Sequence, residues 1–187
     1  MAMDNGASSY RRFRENGDES GLVEIIRDYK DGLIFFLNSF VRDINIAEEL
    51  AEDTFVLLGT KKPRDKNKGS FKTWLYTIGR NVAIDYLRKR KRNREVSLEE
   101  GVEISYDQNI ECNYLRKERD LIIHRSMQRL KPEYRQVLWL IYFENLAYKE
   151  CAFIMKKTVH GIETLAYRAR LALKSELEQE EIYFEDI

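Results

Sequence analysis

The chain has 187 residues, of which 43% are hydrophobic and 34% charged, and its formal net charge is zero. This composition is typical of one or two small folded domains and excludes a disordered chain. The longest apolar run, residues 33–41, is far shorter than the ~20 residues of a membrane span, and the N-terminus lacks a secretory pattern. With two cysteines and two histidines, all widely spaced, we expect a cytoplasmic protein without cofactor, metal or membrane insertion.

The first predicted helices lie between Leu22 and Leu58. Apolar residues recur at helical spacing from Leu22 to Val41, and a second helix begins near Asn45, where Asn45 and Glu48 form a pattern like a capping box. The second helix has a clear apolar face and an opposite face of four carboxylates. The apolar face comprises Ala47, Leu50, Ala51, Thr54, Phe55 and Leu58, and the carboxylates are Glu48, Glu49, Glu52 and Asp53.

A lysine-rich loop, 59–69, precedes a long helix that we predict over 71–91 with Ser70 as its N-cap. Between Thr60 and Arg94 the chain has thirteen basic residues and two acidic ones. Aromatic and basic residues alternate on this helix, which favours nucleic-acid binding because unpaired bases stack on aromatic rings and cations hold the phosphates. For Trp74, packing in the core is the first interpretation and contact with DNA the second.

The segment from Glu95 to Asn113 has six acidic residues, no basic ones and no sustained periodicity. We interpret it as a flexible linker and place the domain boundary there. The predicted architecture is therefore all-α. It comprises two small helical domains, 1–94 and 116–178, joined by a flexible acidic linker, 95–115, and followed by an acidic tail, 179–187.

The second domain contains a predicted helix-turn-helix. One helix ends at Lys131, before Pro132, and another spans 133–143. Two shorter helices follow across a turn at Lys156-Lys157, and Thr158 is the expected cap of the last one. The second helix of this motif enters the major groove of DNA, so its early outward residues are the candidates for base contact. They are His160, Glu163, Thr164, Tyr167 and Arg168, with Arg170 and Lys174 as candidates for phosphate contact.

Taken together, three segments resemble the extracytoplasmic-function class of bacterial sigma factors. They are 46–55, 71–81 continuing through Asp85 to Arg88, and 130–135 followed by the helix-turn-helix that ends at 167–170. The resemblance spans about Leu22 to Leu177, and the middle segment is the most specific. It implies an RNA polymerase sigma factor that binds core RNA polymerase and directs transcription initiation at promoter DNA. It also implies an anti-sigma partner and no enzymatic activity of its own.

The same resemblance assigns roles to residues. Glu48, Glu49, Glu52 and Asp53 would dock on the clamp helices of the largest polymerase subunit. The minus-ten element would meet Lys61, Lys62, Trp74, Arg80, Asn81, Asp85, Arg88 and Arg92, and a flipped base would be captured by the loop 59–70. The minus-thirty-five element would be recognised by Lys157, Thr158, His160, Glu163, Thr164, Tyr167 and Arg168.

Three positions depart from the family pattern. Ala147 stands where a Ser or Thr usually caps the first helix of the motif, and Asn145 is the candidate substitute. Lys156-Lys157 replaces the usual glycine and aliphatic residue of the turn, and Gly161 lies in the first turn of the recognition helix, where glycine disfavours helix.

Two alternatives remain open from the residues. A stand-alone helix-turn-helix regulator would bind a palindrome as a dimer, but it leaves 45–92 unexplained. A metal-dependent nuclease would use the carboxylates from Glu48 to Asp53, although no histidine lies nearby in the sequence.

Overall fold

The structure is a computed structural model that describes residues 5–64, 69–96 and 118–179. These ranges fold into helices without strands, as the all-α prediction requires. The helices are α1 (Asn5–Asn16), α2 (Glu19–Val41), α3 (Ile44–Lys61), α4 (Phe71–Val96), α5 (Glu118–Arg129), α6 (Pro132–Leu138), α7 (Tyr148–Met155) and α8 (Val159–Gln179); α6 continues into a π-helical turn, Trp139–Phe143. Most of the predicted acidic linker, 97–115, and of the acidic tail, 180–187, lies outside the described residues.

Helices α1 to α4 form the first helical group, around the apolar face of α2. Leu33, Phe36 and Leu37 of α2 are fully buried, and the predicted apolar face of α3 is buried against them. Asp43 caps α3, because its carboxylate accepts hydrogen bonds from the amides of Asn45 and Ile46 at 3.0 and 3.2 Å. The prediction that Asn45 begins a capping box was therefore wrong: the stronger acceptor lies two residues earlier.

Helix α1 was missed by the sequence analysis. Its apolar residues Tyr10 and Phe13 are buried, but three arginines separate and follow them. Because these charged residues interrupt the short apolar stripe, the sequence shows no sustained helical periodicity there. Tyr10 packs against Phe71 and Trp74 at ring-centroid distances of 5.7 and 5.1 Å. The helix therefore covers the beginning of α4.

The predicted N-cap of α4 is confirmed, since the Ser70 hydroxyl accepts the amide hydrogen bond of Thr73 at 3.2 Å. The helix extends to Val96, five residues beyond the predicted end. Its Phe71 and Leu75 are buried, while Arg80, Asn81 and Arg88 lie on the outer side or at its margin. Helix α4 is therefore buried along its apolar side and presents its basic residues on the opposite, exposed side.

Helices α5 to α8 form the second helical group, which contains the helix-turn-helix α7–α8. Thr158 caps α8 as predicted, because its hydroxyl accepts the Gly161 amide at 3.0 Å. Ala147 occupies the N-cap of α7, and the Glu150 carboxylate accepts the Ala147 amide at 3.0 Å. Asn145 does not cap this helix; it adopts a left-handed conformation, φ 53°, in the turn before it.

The Lys156-Lys157 turn needs no glycine. Lys156 adopts φ 54°, and the Lys157 amide donates to the Ala152 carbonyl at 3.0 Å, which closes the end of α7. Ile162, Ala166 and Ala169 of α8 are buried against the rest of the second group. The two helical groups also contact each other, through α2 and α4 on one side and α6 and α7 on the other.

Candidate nucleic-acid interface

The acidic face of α3 comprises Glu48, Glu49, Glu52 and Asp53. Glu49, Glu52 and Asp53 are exposed and Glu48 is half-buried, because the opposite side of the helix is held in the core by Ala47, Leu50 and Ala51. Across the described ranges, no three His, Cys, Asp or Glu side chains are grouped closely enough to hold a metal ion. The three exposed carboxylates on one rigid helix suit a cationic protein surface.

The outer side of α4 forms the basic helix surface, which comprises Arg80, Asn81, Asp85, Arg88 and Arg92. Asn81, Asp85, Arg88 and Arg92 are exposed, and the Arg88 guanidinium lies 3.3 Å from the Asp85 carboxylate. Partial burial and the nearby charge of Arg88 lower the pKa of Arg80, but an arginine remains cationic at neutral pH. Arg80 and Arg88 lie about two helical turns apart, so both cations can contact the phosphates of one nucleic-acid strand.

Trp74 lies at the edge of an aromatic cluster and not on the open face of α4. Its ring is half-buried, at 5.1 Å from the Tyr10 ring and 5.5 Å from the Phe71 ring. The preferred interpretation of Trp74 as a packing residue agrees with this position. Its remaining exposed edge leaves the second interpretation, contact with DNA, as a prediction.

Lys61 is the last residue of α3 and Lys62 is its C-cap, so the lysine-rich loop begins at Lys62 and not at Gly59 as predicted. Both are exposed, and Lys62 adopts a left-handed conformation, φ 42°. The Lys62 ammonium lies 4.7 Å from the centroid of the Phe13 ring, and the Tyr10 hydroxyl donates to the Pro63 carbonyl at 2.7 Å. The first residues of this loop are therefore held by α1, which the sequence analysis had not singled out.

The recognition-helix surface comprises Thr158, His160, Glu163, Thr164, Tyr167 and Arg168. His160 is 90% exposed and its ring nitrogen lies 3.5 Å from the Glu163 carboxylate, while Tyr167 is 57% exposed. These residues share the outward side of α8 because Ile162, Ala166 and Ala169 face the core. An exposed tyrosine and arginine beside a buried alanine face are suited to contact bases and phosphates.

Lys157 and Arg170 have protein contacts that the sequence did not indicate. The Lys157 ammonium lies 3.1 Å from the Glu133 carboxylate, and the Arg170 guanidinium lies 3.5 Å from the Tyr142 hydroxyl. Arg170 and Lys174 also line an apolar groove between α5, the π-helical turn and the end of α8. The remaining residues of that groove are Ile123, Met127, Leu138, Tyr142, Phe143, Leu173 and Leu177.

No helix of the described ranges is both long enough and apolar enough to span a bilayer.

Comparison with known protein families matches both helical groups. Residues 25–93 match the model of sigma-70 region 2, and residues 120–173 match the model of sigma-70 region 4. The chain is 30% identical over 159 residues to RNA polymerase sigma factor YlaC of Bacillus subtilis, covering 83% of this chain and 91% of the relative. It is 31% identical over 153 residues to the ECF RNA polymerase sigma factor SigM of Bacillus subtilis, covering 81% and 92%.

Two solved structures have a similar fold. The sigma factor RpoE in complex with the anti-sigma factor NepR from Bartonella quintana aligns with TM-score 0.64 at 24% identity, covering 83% of this chain and 95% of that one. CnrH in complex with the cytosolic domain of CnrY aligns with TM-score 0.62 at 19% identity, covering 94% and 96%.

The helical groups, the helix-turn-helix and these relatives define the class: the chain belongs to the RNA polymerase sigma factors. Within them it is an extracytoplasmic-function sigma factor. This membership accounts for the first helical group, which a stand-alone helix-turn-helix regulator leaves unexplained.

Proposed function

We propose that three surfaces divide the work of this sigma factor: the acidic face binds core RNA polymerase, the basic helix surface binds the minus-ten element, and the recognition-helix surface binds the minus-thirty-five element. The observation that carries the proposal is the sorting of exposed charge by element, acidic on α3 and basic on the neighbouring α4. Each surface lies opposite a buried apolar face, so each one is rigid and faces outward.

The acidic face would attach to a cationic surface of the polymerase. Glu49, Glu52 and Asp53 project from successive turns of one helix, and this spacing allows all three to contact one partner helix. Charge complementarity of this kind sets orientation and association rate more than it sets total affinity. Removing it should therefore weaken the complex and make it less sensitive to salt.

The basic helix surface would hold one DNA strand while its bases unpair. Arg80, Arg88 and Arg92 supply the cations, and Trp74, at the beginning of the same helix, offers an aromatic edge. Opening DNA costs a few kcal/mol for each extruded base, which contacts with strand and bases must offset. The lysine-rich loop would receive the extruded base, next to Lys61 and Lys62.

The recognition-helix surface would contact base edges in the major groove. Tyr167 and Arg168 are exposed near the middle of α8, and His160, Glu163 and Thr164 lie on the turns before them. Lys157 has the Glu133 carboxylate as its neighbour, so its charge would reach a phosphate only if that pair opens.

Domain boundaries, location and regulation belong to the same proposal. The first domain would comprise residues 1–94 and the second 116–178, with the acidic linker 95–115 between them, although α4 continues into that segment as far as Val96. The protein would act in the cytoplasm and carry no active site, since RNA synthesis belongs to the polymerase. An anti-sigma factor would bind it, as one does in the complex of RpoE with NepR.

Binding to core RNA polymerase tests the role of the acidic face. We expect Glu49→Lys/Asp53→Lys to raise the Kd at least about tenfold, or about 1.4 kcal/mol, measured by fluorescence anisotropy of labelled protein. Glu15→Lys/Glu19→Lys is the matched control, because it also reverses two exposed helical carboxylates but lies on α1 and α2. Equal affinity of both variants and the wild type would contradict the assignment.

Transcription with reconstituted holoenzyme tests the two DNA surfaces. Run-off transcription on genomic fragments would first give the start sites and hence the promoter. We then expect Arg168→Ala to lower initiation on promoters with the full minus-thirty-five element more than on templates with that element scrambled. Arg88→Ala should lower initiation on duplex templates more than on templates with a pre-melted minus-ten region. Equal losses on the paired templates would contradict the assignments.

A further inference from the structure

The apolar groove of the second helical group, between α5, the π-helical turn and the last turns of α8, has a volume of about 420 Å³. Its floor comprises Met127, Leu138 and Leu177, which are buried. Cavities of ~300–1,000 Å³ are the size that holds a ligand, so the groove has room for several side chains of a partner segment. It belongs to none of the three surfaces proposed above.

The π-helical turn builds one wall of the groove from aromatic residues. The Glu144 amide donates to the Trp139 carbonyl, five residues earlier, at 3.1 Å, so this turn is wider than an α-helical turn. Tyr142 and Phe143, at the end of the turn, are 51% and 47% exposed. Phe143 stacks on Trp139 with the ring centroids 4.4 Å apart, which fixes its position. Exposed aromatic rings beside a buried apolar floor are typical of a surface that another segment covers.

Arg170 and Lys174 give the groove a cationic border. Both are exposed and lie one helical turn apart on α8. The Lys174 ammonium lies 3.6 Å from the Glu178 carboxylate, and both of these side chains are exposed. Because an exposed ion pair contributes little to stability, Lys174 can exchange this partner for another carboxylate. The groove therefore suits a segment that is both apolar and acidic.

The acidic tail that follows α8 has this composition. Its residues 180–187 comprise four acidic residues, four apolar ones and no basic residue. The acidic residues are Glu180, Glu181, Glu185 and Asp186, and the apolar ones are Ile182, Tyr183, Phe184 and Ile187. Three consecutive apolar residues thus stand between two pairs of carboxylates. This order matches an apolar floor with a cationic border.

The tail begins close enough to the groove to fold back into it. Leu177, in the groove, is two residues before Gln179, the last residue of α8. Arg170 is nine residues before Gln179, or ~14 Å along the helix axis at ~1.5 Å per residue. Eight extended residues span up to ~26 Å, so a tail that reverses direction after α8 reaches Arg170.

The acidic linker is a rival occupant, because it also contains acidic and apolar residues. No two apolar side chains are adjacent between residues 95 and 113, however, whereas residues 182–184 of the tail are all apolar. The tail also follows directly from the helix that carries both cations of the border. A short tether that spans the distance gives a high effective concentration at the groove. These features favour the tail.

We propose that the acidic tail, residues 180–187, binds the apolar groove of its own chain. Ile182, Tyr183 and Phe184 cover the floor and the aromatic wall, and the flanking carboxylates pair with Arg170 and Lys174. The docking removes exposed aromatic surface from water, which is the main source of its stability. It goes beyond the proposed function and does not depend on it, since tail and groove bind each other whether or not the chain is at a promoter.

Photo-crosslinking of the full-length protein tests the docking. Benzoylphenylalanine in place of Tyr183 attaches on irradiation to a side chain that it contacts, and mass spectrometry identifies the peptide. We expect a monomeric product joined to α5, the π-helical turn or the end of α8. The same photoreactive residue in place of Tyr106, in the linker, is the control and should give little of this product.

Charge reversal at the border tests the ion pairs. Arg170→Glu/Lys174→Glu should lower the yield of the product from position 183 several-fold, because attraction to the tail becomes repulsion. Lys149→Glu/Arg168→Glu is the matched control, since it reverses two exposed cations of the same group that do not line the groove. Circular dichroism checks that both variants keep the helical content of the wild type.

Binding of the dye anilinonaphthalene sulfonate gives a second, independent measurement. We expect Ile182→Ser/Phe184→Ser to raise the dye fluorescence several-fold, because the emptied groove exposes apolar surface. Ile182→Leu/Phe184→Leu keeps the tail apolar and should match the wild type.

Four results would overturn the proposal. Products from position 183 that lie outside the groove would do so, as would unchanged dye fluorescence in the serine variant. A groove product found only in covalent dimers would assign the groove to a second copy of the chain. A larger yield of groove product from position 106 than from position 183 would assign it to the linker.

Discussion

At the scale of single residues, Glu150 shows how one side chain serves two helices. Burial raises the pKa of the Glu150 carboxyl. Hydrogen bonds from Thr73, Ser70 and the Ala147 amide, together with the charge of Lys72, lower it by more than burial raises it, so the pKa lies below the ordinary 4.5. The sequence showed that Ala147 has no capping side chain, but the substitute lies three residues later. The hydrogen bonds from the Ser70 and Thr73 hydroxyls could not be predicted from the sequence, because they form only when α4 and α7 pack together.

Glu150 predicts a dependence of stability on pH. Its pKa is lower in the folded than in the unfolded chain, so its contribution is fully present above the ordinary 4.5 and is lost as pH falls through the lowered folded value. We expect the wild type to be more stable than Glu150→Gln at pH 7 and this difference to shrink below pH 4.5. Urea unfolding of both proteins across that range measures it, and a difference that grows in acid would contradict the interpretation.

Cys151 predicts an inert thiol. Burial, with the charge of Glu150, raises its pKa to about 12, so the reactive thiolate is scarce at neutral pH. In a Cys112→Ser background, we expect no reaction with Ellman's reagent in the native state and rapid reaction in denaturant. Rapid labelling of the native protein would show that α7 is packed less tightly than the structure describes.

At the scale of elements, α1 is the helix whose role the sequence analysis missed. The Tyr10 hydroxyl holds the Pro63 carbonyl, and its ring contacts the rings of Phe71 and Trp74. Helix α1 therefore contacts both the first residues of the lysine-rich loop and the beginning of α4, which follows it. The other elements were predicted because their apolar faces are long and regular, whereas the stripe of α1 is short and interrupted by arginines.

Tyr10→Phe tests this role of α1, because it keeps the ring and removes only the hydrogen bond to Pro63. We expect the free energy of unfolding to fall by about 1 kcal/mol, since the Pro63 carbonyl loses its partner. We also expect faster trypsin cleavage after Lys61. Tyr167→Phe, at a tyrosine that is 57% exposed, should change neither property. Unchanged stability and cleavage in Tyr10→Phe would show that α1 does not hold the loop.

At the scale of the whole molecule, three side chains of the second helical group join it to the first. The Glu144 carboxylate lies 2.7 Å from the Lys72 ammonium, Glu150 accepts the Ser70 and Thr73 hydroxyls, and Arg135 donates to the Ser39 carbonyl. Gly32 of α2 leaves room for the Glu144 side chain. Loss of one member of a buried ion pair typically costs about 3–5 kcal/mol, and the 30% exposure of Lys72 places this pair below that range. Breaking this pair should therefore weaken the contact between the two groups by less than that range.

The contact between the two helical groups predicts that they unfold cooperatively. We expect the wild type to unfold in a single thermal transition, and Glu144→Ala in two, because the separated groups have different stabilities. Differential scanning calorimetry distinguishes the two cases, with Lys30→Ala as the control for the loss of one charged side chain. A single transition in Glu144→Ala would show that the two groups remain coupled without the Glu144 carboxylate.

The sequence by itself determined the helices other than α1, the helix-turn-helix and the family, because apolar periodicity and motif residues are local properties of the chain. It also gave the correct caps at Ser70 and Thr158, where donor and acceptor lie three residues apart. Only the tertiary structure decided the roles of Tyr10, Gly32, Glu144 and Glu150, whose partners lie far along the chain. Contacts of that kind depend on how helices pack, and no periodicity within one segment encodes them.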